Sequence, residues 1–354
     1  MKRTIILFLL LITLINAIDI ETIFTDTSNN YSEFENDVQS ISEHKGGISS
    51  LIFSPNGKYL ASGSYDKTIK IWEVKTSKKI LEISGNELYR CLDFSPDNKF
   101  IAVGSLDNQI KIFDLSDGSI IYLLEGHINA VTSLDFSPNG KLLASSSDDG
   151  TVRLWDILTE EEIGCFPEYS SCVKDVSFSP NGKYLASGSW RTEESDDEFN
   201  DYGEIKIWDI KTGEEVQAFS TPKSCVYSLS YSPDGKYLAG GGGRYDEEFN
   251  YYGEIKIWDV KTGERIKLFS VPDYSVNSIS YSPDGKYLVS GHDDSSLKIW
   301  EVSTGKQIKT IFGNTASISS VSYSPNGKYL ASSSWDYEGG IIKIWEIRHI
   351  PSNQ

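Results

Sequence analysis

The sequence predicts an all-β fold, a seven-bladed β-propeller with four-stranded antiparallel blades. The first observation behind this prediction is a motif that occurs seven times. It is opened by an aromatic residue at Phe53, Phe94, Phe136, Phe178, Tyr231, Tyr281 and Tyr323. The second is the spacing of most copies, about 42 residues, which is the period of a four-stranded propeller blade.

The third repeat shows how each element is predicted. Alternation of apolar and polar residues favours a first strand at Val131–Phe136, a second at 142–146 and a third at 151–157. Between the first two, Ser137–Gly140 has the proline and glycine of a tight turn. A weaker run near 163–166 supplies the fourth strand.

A single sheet of four short strands cannot bury both of its faces, so we expect residues 37–350 to form one propeller and 351–354 a short tail. The chain ends too soon after Trp345 for a fourth strand to follow it in the last blade. The stretch Val38–Glu43 aligns with the fourth strands of other repeats. We therefore predict that this N-terminal segment pairs with the strand of Trp345 and closes the last blade.

The tryptophan that ends each third strand carries a resemblance to the WD40-repeat family. Six repeats have Trp followed by Asp or Glu, at Trp72, Trp155, Trp208, Trp258, Trp300 and Trp345, and repeat two has Phe113 instead. The family's Gly-His pair is present as Gly126-His127. The resemblance implies a buried structural hydrogen-bond relay in blade three, formed by His127, Ser145, Asp149 and Trp155. The resemblance is specific for the fold and says almost nothing about function. We predict a non-catalytic scaffold for protein–protein interaction from the insert-bearing rim described below.

The N-terminus resembles a secretory signal peptide. Lys2-Arg3 precede an apolar run that ends near Asn16-Ala17, and this run is short for a membrane span. We expect a signal peptide at 1–17, a flexible acidic linker at 18–36, and a chain that is secreted or resides in a secretory compartment. The alternative is a cytoplasmic scaffold whose leader does not function.

The formal net charge of −18 disfavours nucleic acid as a partner. We expect protein partners of basic character, no membrane span, and a monomer within a complex. The four cysteines lack metal-ligand spacing and are too few for a disulfide framework. Whether Cys172 pairs with Cys225 stays open at this stage.

Blades four, five and seven have extra residues between their second and third strands, which places three insert loops at one rim of the propeller. The first two inserts, 191–202 and 244–252, are near copies that combine acidic and aromatic residues. We predict that they form an acidic, aromatic ridge that binds the partner. Its candidate residues are Arg191, Asp196, Asp197, Glu198, Phe199, Tyr202, Arg244, Tyr245, Asp246, Glu247, Glu248, Phe249, Tyr251, Tyr252 and, in blade seven, Tyr337.

Two tryptophans lie outside the repeated position. Trp190 and Trp335 end second strands at the insert rim, where Tyr65 is their equivalent. We interpret them as anchors for the partner, because aromatic side chains give large contact areas. The alternative is that they pack beneath the inserts. Further candidates edge the central channel at the starts of first strands, at Arg90, Lys174, Tyr227 and Asn277.

No motif for catalysis is found, so we predict that the protein is not an enzyme and needs no cofactor or metal. Among the four histidines, His292 is expected to be free at the rim. The glycine run 240–243 is not followed by Lys-Ser or Lys-Thr, and we interpret it as a tight rim turn rather than a phosphate loop. A calcium-dependent binder and a propeller enzyme stay open as alternatives.

Overall fold

The computed structural model describes residues 38–166, 172–195, 198–222, 224–245 and 251–347. The segments predicted as signal peptide, linker and tail lie outside these residues, and those three assignments stay predictions. The described residues form seven four-stranded antiparallel sheets and contain no helix. The predicted seven-bladed propeller is confirmed.

The four strands of each blade occupy equivalent positions. The innermost strands are β2 Ile48–Phe53, β6 Tyr89–Phe94, β10 Val131–Phe136, β14 Val173–Phe178, β18 Ser228–Tyr231, β22 Val276–Tyr281 and β26 Ile318–Tyr323. The second strands are β3 Tyr59–Ser64, β7 Phe100–Ser105, β11 Leu142–Ser147, β15 Tyr184–Ser195, β19 Tyr237–Tyr245, β23 Tyr287–His292 and β27 Tyr329–Asp336. The third strands are β4 Thr68–Glu73, β8 Ile110–Asp114, β12 Val152–Asp156, β16 Glu198–Asp209, β20 Tyr251–Asp259, β24 Leu297–Glu301 and β28 Gly339–Glu346. The outer strands are β5 Lys78–Ser84, β9 Ile120–Leu124, β13 Glu162–Phe166, β17 Glu215–Pro222, β21 Arg265–Pro272, β25 Gln307–Ile311 and, for blade seven, β1 Val38–His44.

The innermost strands form a closed ring, because each contacts the innermost strands of the two neighbouring blades, and β26 contacts β2. The hydrophobic core lies between blades. Trp208 of blade four, for example, packs on Phe166 of the outer strand of blade three, with ring centroids 4.8 Å apart. Trp258 stacks in the same way on Phe219 of blade four at 5.3 Å. The repeated tryptophan therefore joins successive blades.

The ring is closed where the sequence predicts. Blade seven has the strand order β1-β28-β27-β26, so the N-terminal strand pairs with the strand that carries Trp345. Ile41 of β1 is buried in a core cluster with residues of blades one and seven. The first and last strands of the described chain thus belong to one sheet, and the closure prediction is confirmed.

The inserts of blades four and five differ from the loops that the sequence suggested. They continue the second and third strands as two-stranded ribbons, with the pairing Arg191↔Tyr202 in blade four and Arg244↔Tyr252 in blade five. The glycine run 240–243 is likewise not a turn, because it lies within β19. A Cβ at Gly242 would overlap the backbone carbonyl of Cys225, so the close approach of the chain explains the glycine there.

Candidate functional site

The candidate site is the upper rim of the propeller. At this rim the second strands end, and the first and third strands begin. Antiparallel pairing brings these three points together, as in Val173↔Ser189 at the upper end of blade four. The two ribbons and the insert of blade seven all rise from this rim. Among the described residues, the bases of both inserts and of the blade-seven insert lie at this rim.

The blade-four ribbon is described at residues 191–195 and 198–202. Its described rungs run outward from Arg191↔Tyr202 to Ser195↔Glu198. The outer strand β17 accompanies it only as far as Tyr202↔Pro222. The blade-five ribbon is described at residues 244–245 and 251–252, with the rungs Arg244↔Tyr252 and Tyr245↔Tyr251.

Several predicted site residues cannot be assigned a side-chain environment. Asp196, Asp197, Asp246, Glu247, Glu248 and Phe249 lie outside the described residues. For Arg191, Glu198, Phe199, Arg244, Tyr245 and Tyr251, the structure describes the backbone. Tyr202, Tyr227 and Tyr252 are half-buried and engaged in contacts within the protein. The joint acidic ridge therefore stays a prediction.

Trp190 is held in place by its neighbours. The Lys174 ammonium lies 5.5 Å from the centroid of the Trp190 ring and 2.8 Å from Oδ1 of Asp148. Arg90 reaches the other oxygen of Asp148 at 2.5 Å, which ties together blades two, three and four. Burial raises the pKa of Asp148, but its bonds to Lys174 and Arg90 outweigh this and lower the pKa overall. Lys174 thus contacts both Trp190 and Asp148. This arrangement agrees better with the alternative in which Trp190 packs beneath the inserts.

Trp335 is placed differently, because 59 % of its surface is exposed. Tyr65 of blade one, 47 % exposed, lies beside it. A Cβ built on Gly47 would be 3.2 Å from Trp335 Cγ and 3.4 Å from Tyr65 Cδ2, so both rings border the same glycine. Tyr337, two residues after Trp335, is fully exposed. Blades seven and one together present an open aromatic surface.

Leu106 extends this surface into blade two. It directly follows β7, occupies the repeat position of Tyr65 and Trp335, and is 40 % exposed. We call Trp335, Tyr337, Tyr65 and Leu106 the apolar rim patch. The sequence analysis missed Leu106 and used Tyr65 only as an equivalent. Alignment of this one position across the repeats would have found Leu106 and Tyr65. Not every blade has a large apolar residue there, since blade three has Asp148 and blade five has Gly243.

The relay that the resemblance implies is present in blade three as a hydrogen-bonded chain. Asp149 accepts from Nδ1 of His127 at 2.8 Å, so His127 Nε2 accepts the Ser145 hydroxyl at 2.8 Å. Ser145 Oγ in turn accepts the indole N–H of Trp155 at 2.9 Å. Burial raises the pKa of Asp149, but the bonds from His127 and Thr151 outweigh this and hold it well below its usual range.

Blade one has the same relay through His44, Asp66, Ser62 and Trp72, with distances of 2.7 to 2.9 Å. The sequence predicted this relay only for blade three, although His44 stands at the position of His127 in repeat one. In blade seven, Asn314 takes the place of the histidine and bonds Ser332 at 3.0 Å.

The expectation that His292 is free at the rim is wrong. The side chain is fully buried and bonds Ser290 Oγ through Nε2 at 2.7 Å, while Nδ1 bonds the Ser275 carbonyl at 3.0 Å. Ser290 also accepts the indole N–H of Trp300 at 2.8 Å. His292 therefore supports the tryptophan of blade six from within β23. Burial, with the charge of Lys298, lowers its pKa to about 4.

The inner strands are linked from blade to blade by side chains, although they share no sheet. Asp93, Asp135 and Asp175 each accept a backbone N–H from the next blade, at 2.7, 2.5 and 2.6 Å. Serines make the corresponding bonds farther round the ring, at Ser228, Ser230, Ser278, Ser280 and Ser320. These side-chain bonds therefore connect the innermost strands of neighbouring blades, which belong to separate sheets.

All four cysteines are among the described residues, and no disulfide joins them. Cys91 and Cys225 are buried, whereas Cys165 is exposed. Within the described part of the chain, no group of three or more acidic, histidine or cysteine side chains is arranged to hold a metal ion. A search of the same residues for a helix long and apolar enough to span a bilayer finds none.

Comparison with known proteins places the repeats in one family. The sequence model described as "WD domain, G-beta repeat" matches seven times, at residues 35–73, 77–114, 118–156, 160–209, 213–259, 263–301 and 305–346. Each match contains one repeat of the motif, and the last ends with β28. Together they span nearly the whole described chain.

The curated relatives match a much shorter stretch. A protein called ribosome biogenesis protein BOP1 homolog is 45 % identical over 49 residues in Drosophila virilis and 49 % identical over 49 residues in Drosophila mojavensis. Each match covers 14 % of this chain and 6 % of the relative. The shared stretch is close to one repeat in length, so it reflects the repeat rather than the whole protein.

Proposed function

Because the chain belongs to the WD40-repeat family, we propose that it is a non-catalytic scaffold that binds protein partners through its upper rim. The observation that carries this proposal is the apolar rim patch. Three successive blades present large apolar side chains to solvent at one equivalent position, through Trp335, Tyr65 and Leu106. Exposed aromatic side chains grouped on a rigid rim are typical of protein-binding surfaces.

The ribbons of blades four and five would form the second part of the surface. The inserts contain nine acidic residues and two arginines, so they favour a partner with basic character. An acidic surface would speed the approach of such a partner, while burial of the apolar rim patch would supply most of the affinity. The partner would thus be anchored at blades seven to two and oriented by blades four and five.

Co-purification with three forms of the chain tests this proposal. One is the unaltered chain, one has 191–202 and 244–252 cut to short turns, and one carries Trp335→Ser with Tyr65→Ser. We expect partners to be lost from the double-serine form and reduced with the cut form. Leu158→Ser, which removes an exposed apolar side chain from the opposite rim, serves as the matched control. Full retention of partners by both altered forms would exclude the upper rim.

Two features support different cellular locations. The leader-like residues 1–17 support export to a secretory compartment, whereas the partial match to ribosome biogenesis proteins supports an intracellular scaffold in that process. We propose export, because the leader-like pattern extends over a whole N-terminal segment, whereas the match to ribosome biogenesis proteins covers about one repeat. N-terminal sequencing of the mature chain tests this. A start at residue 18 supports export, and an intact Met1 together with co-purified ribosome precursors would establish the alternative.

A further inference from the structure

We propose that the partner of this scaffold adds a β-strand to the channel-side edge of the blade-four ribbon, and that the added segment is extended and basic. This inference rests on the proposed function, since it specifies how one part of the upper rim binds. It concerns the four outermost described rungs, from Thr192↔Asp201 to Ser195↔Glu198.

At these rungs, the ribbon has two strands while the blade below has four. The last pair between β14 and β15 is Val173↔Ser189, and the last pair between β16 and β17 is Tyr202↔Pro222. Among the described residues, no strand pairs with either side of the ribbon beyond these points. An unpaired edge presents a row of N–H and C=O groups that another extended segment can complete.

The direction of these groups follows from one hydrogen bond at the base of the ribbon. The backbone N–H of Trp190 donates to the carbonyl of Cys172 at 3.1 Å, which points it to the β14 side. Because a strand repeats every two residues, the N–H groups of Thr192 and Glu194 face the same way. The N–H of Glu193 faces β16 and belongs to the ribbon itself.

The charge of the ribbon selects the partner. Residues 191–202 contain six acidic residues and one arginine. An acidic incoming strand would be repelled, whereas alternating cationic side chains would face opposite charges across the ladder. Main-chain bonds would provide the pairing, and the charges would provide the preference for a basic sequence.

Binding of a defined peptide tests the inference. The probe is a capped ten-residue peptide of alternating lysine and valine, compared with the same peptide N-methylated at every second residue. Thr192→Pro removes the outward N–H but no charge, and proline is tolerated at such an edge. Thr192→Ala is the matched control, because it loses the same side chain and keeps the N–H.

We expect saturable binding of the unmethylated peptide to the unaltered chain and to Thr192→Ala. Binding to Thr192→Pro, and of the methylated peptide to the unaltered chain, should be about tenfold weaker, as expected for the loss of one or two hydrogen bonds. Equal binding to Thr192→Pro and Thr192→Ala would overturn strand addition, as would the absence of saturable binding. Should cut ribbons release natural partners that Thr192→Pro retains, this inference fails while the proposed function stands.

Discussion

The carboxylate of Asp93 on β6 accepts the backbone N–H of Phe136 on β10 at 2.7 Å, across the boundary between blades two and three. The same carboxyl group is hydrogen-bonded to that of Asp135. Burial raises the pKa of Asp93 to about 7, and burial together with the charge of Asp93 raises that of Asp135 well above its usual range. Burial therefore favours the protonated form of these two carboxyl groups in the folded protein.

We predict that this pair makes the fold less stable at alkaline than at mildly acidic pH. A carboxyl group whose pKa is higher in the folded state contributes stability that is complete below its unfolded pKa, about 4, and is lost as pH rises through the folded value. The free energy of unfolding should fall by at least about 2 kcal/mol between pH 5 and pH 8. Urea denaturation at both values measures it.

Asp135→Asn separates this effect from the general charge of the protein. An amide can donate to Asp93 and accept from Phe178, as protonated Asp135 does, but it does not ionise. The variant should be more stable than the unaltered chain at pH 8, with a smaller fall between the two pH values. An identical fall in both proteins would rule out the pair as its source.

His127→Ala should lower the free energy of unfolding by about 2 to 3 kcal/mol, because it leaves the buried Ser145 hydroxyl without its acceptor and removes a partner of Asp149. Asn314→Ala in blade seven is the comparison. Within the described part of the chain the amide nitrogen of Asn314 has no hydrogen-bond partner, so the loss of this side chain should cost less. An unchanged melting temperature of His127→Ala would contradict a structural role for the relay.

His292 should remain neutral well below the pH at which an ordinary histidine titrates. Since its pKa is lowered to about 4, the stability that it contributes is present above about 6.5 and is lost as pH falls toward 4. Its imidazole carbon shifts in NMR should stay constant from pH 7.5 to pH 5. His349, which lies outside the described residues, is a poor reference, so a free imidazole peptide provides the titrating control.

Removal of residues 37–43 should destabilise the whole propeller, because it exposes the edge of β28 and deletes buried Ile41. A chain that begins at residue 37 is the matched control and should melt as the unaltered chain does. Comparable melting of chains that begin at 37 and 44 would show that blade seven does not need β1.

The repeat made most of the fold predictable, because its alternation and turns are local. In repeat three the sequence predicts the first strand with its observed bounds, and each bound of the other three strands within one residue. The inserts were harder to predict, because acidic residues have low β propensity and the ribbons continue from strands already formed. The burial of His292 was missed because the side chain bonds Ser290, two residues away along β23. The role of Ser290 is seen only when the position of Trp300 is known.

The candidate site was only partly predictable, because its differences between blades depend on residues that are distant in the sequence. Trp190 and Trp335 occupy equivalent sequence positions, yet Lys174 of the adjacent first strand covers one and nothing comparable among the described residues covers the other. Such differences arise from neighbours in space. A single repeat does not contain that information.

The pairing of β1 with β28 has a consequence for how the molecule is made. Strand β1 must wait for β28, so the ring can close only once residue 346 has left the ribosome. Until then, six blades can form while the seventh lacks its edge, and a strand from another copy could enter it. Blade seven is therefore where we expect the slow step of folding, and the point at which crowded nascent chains would exchange strands.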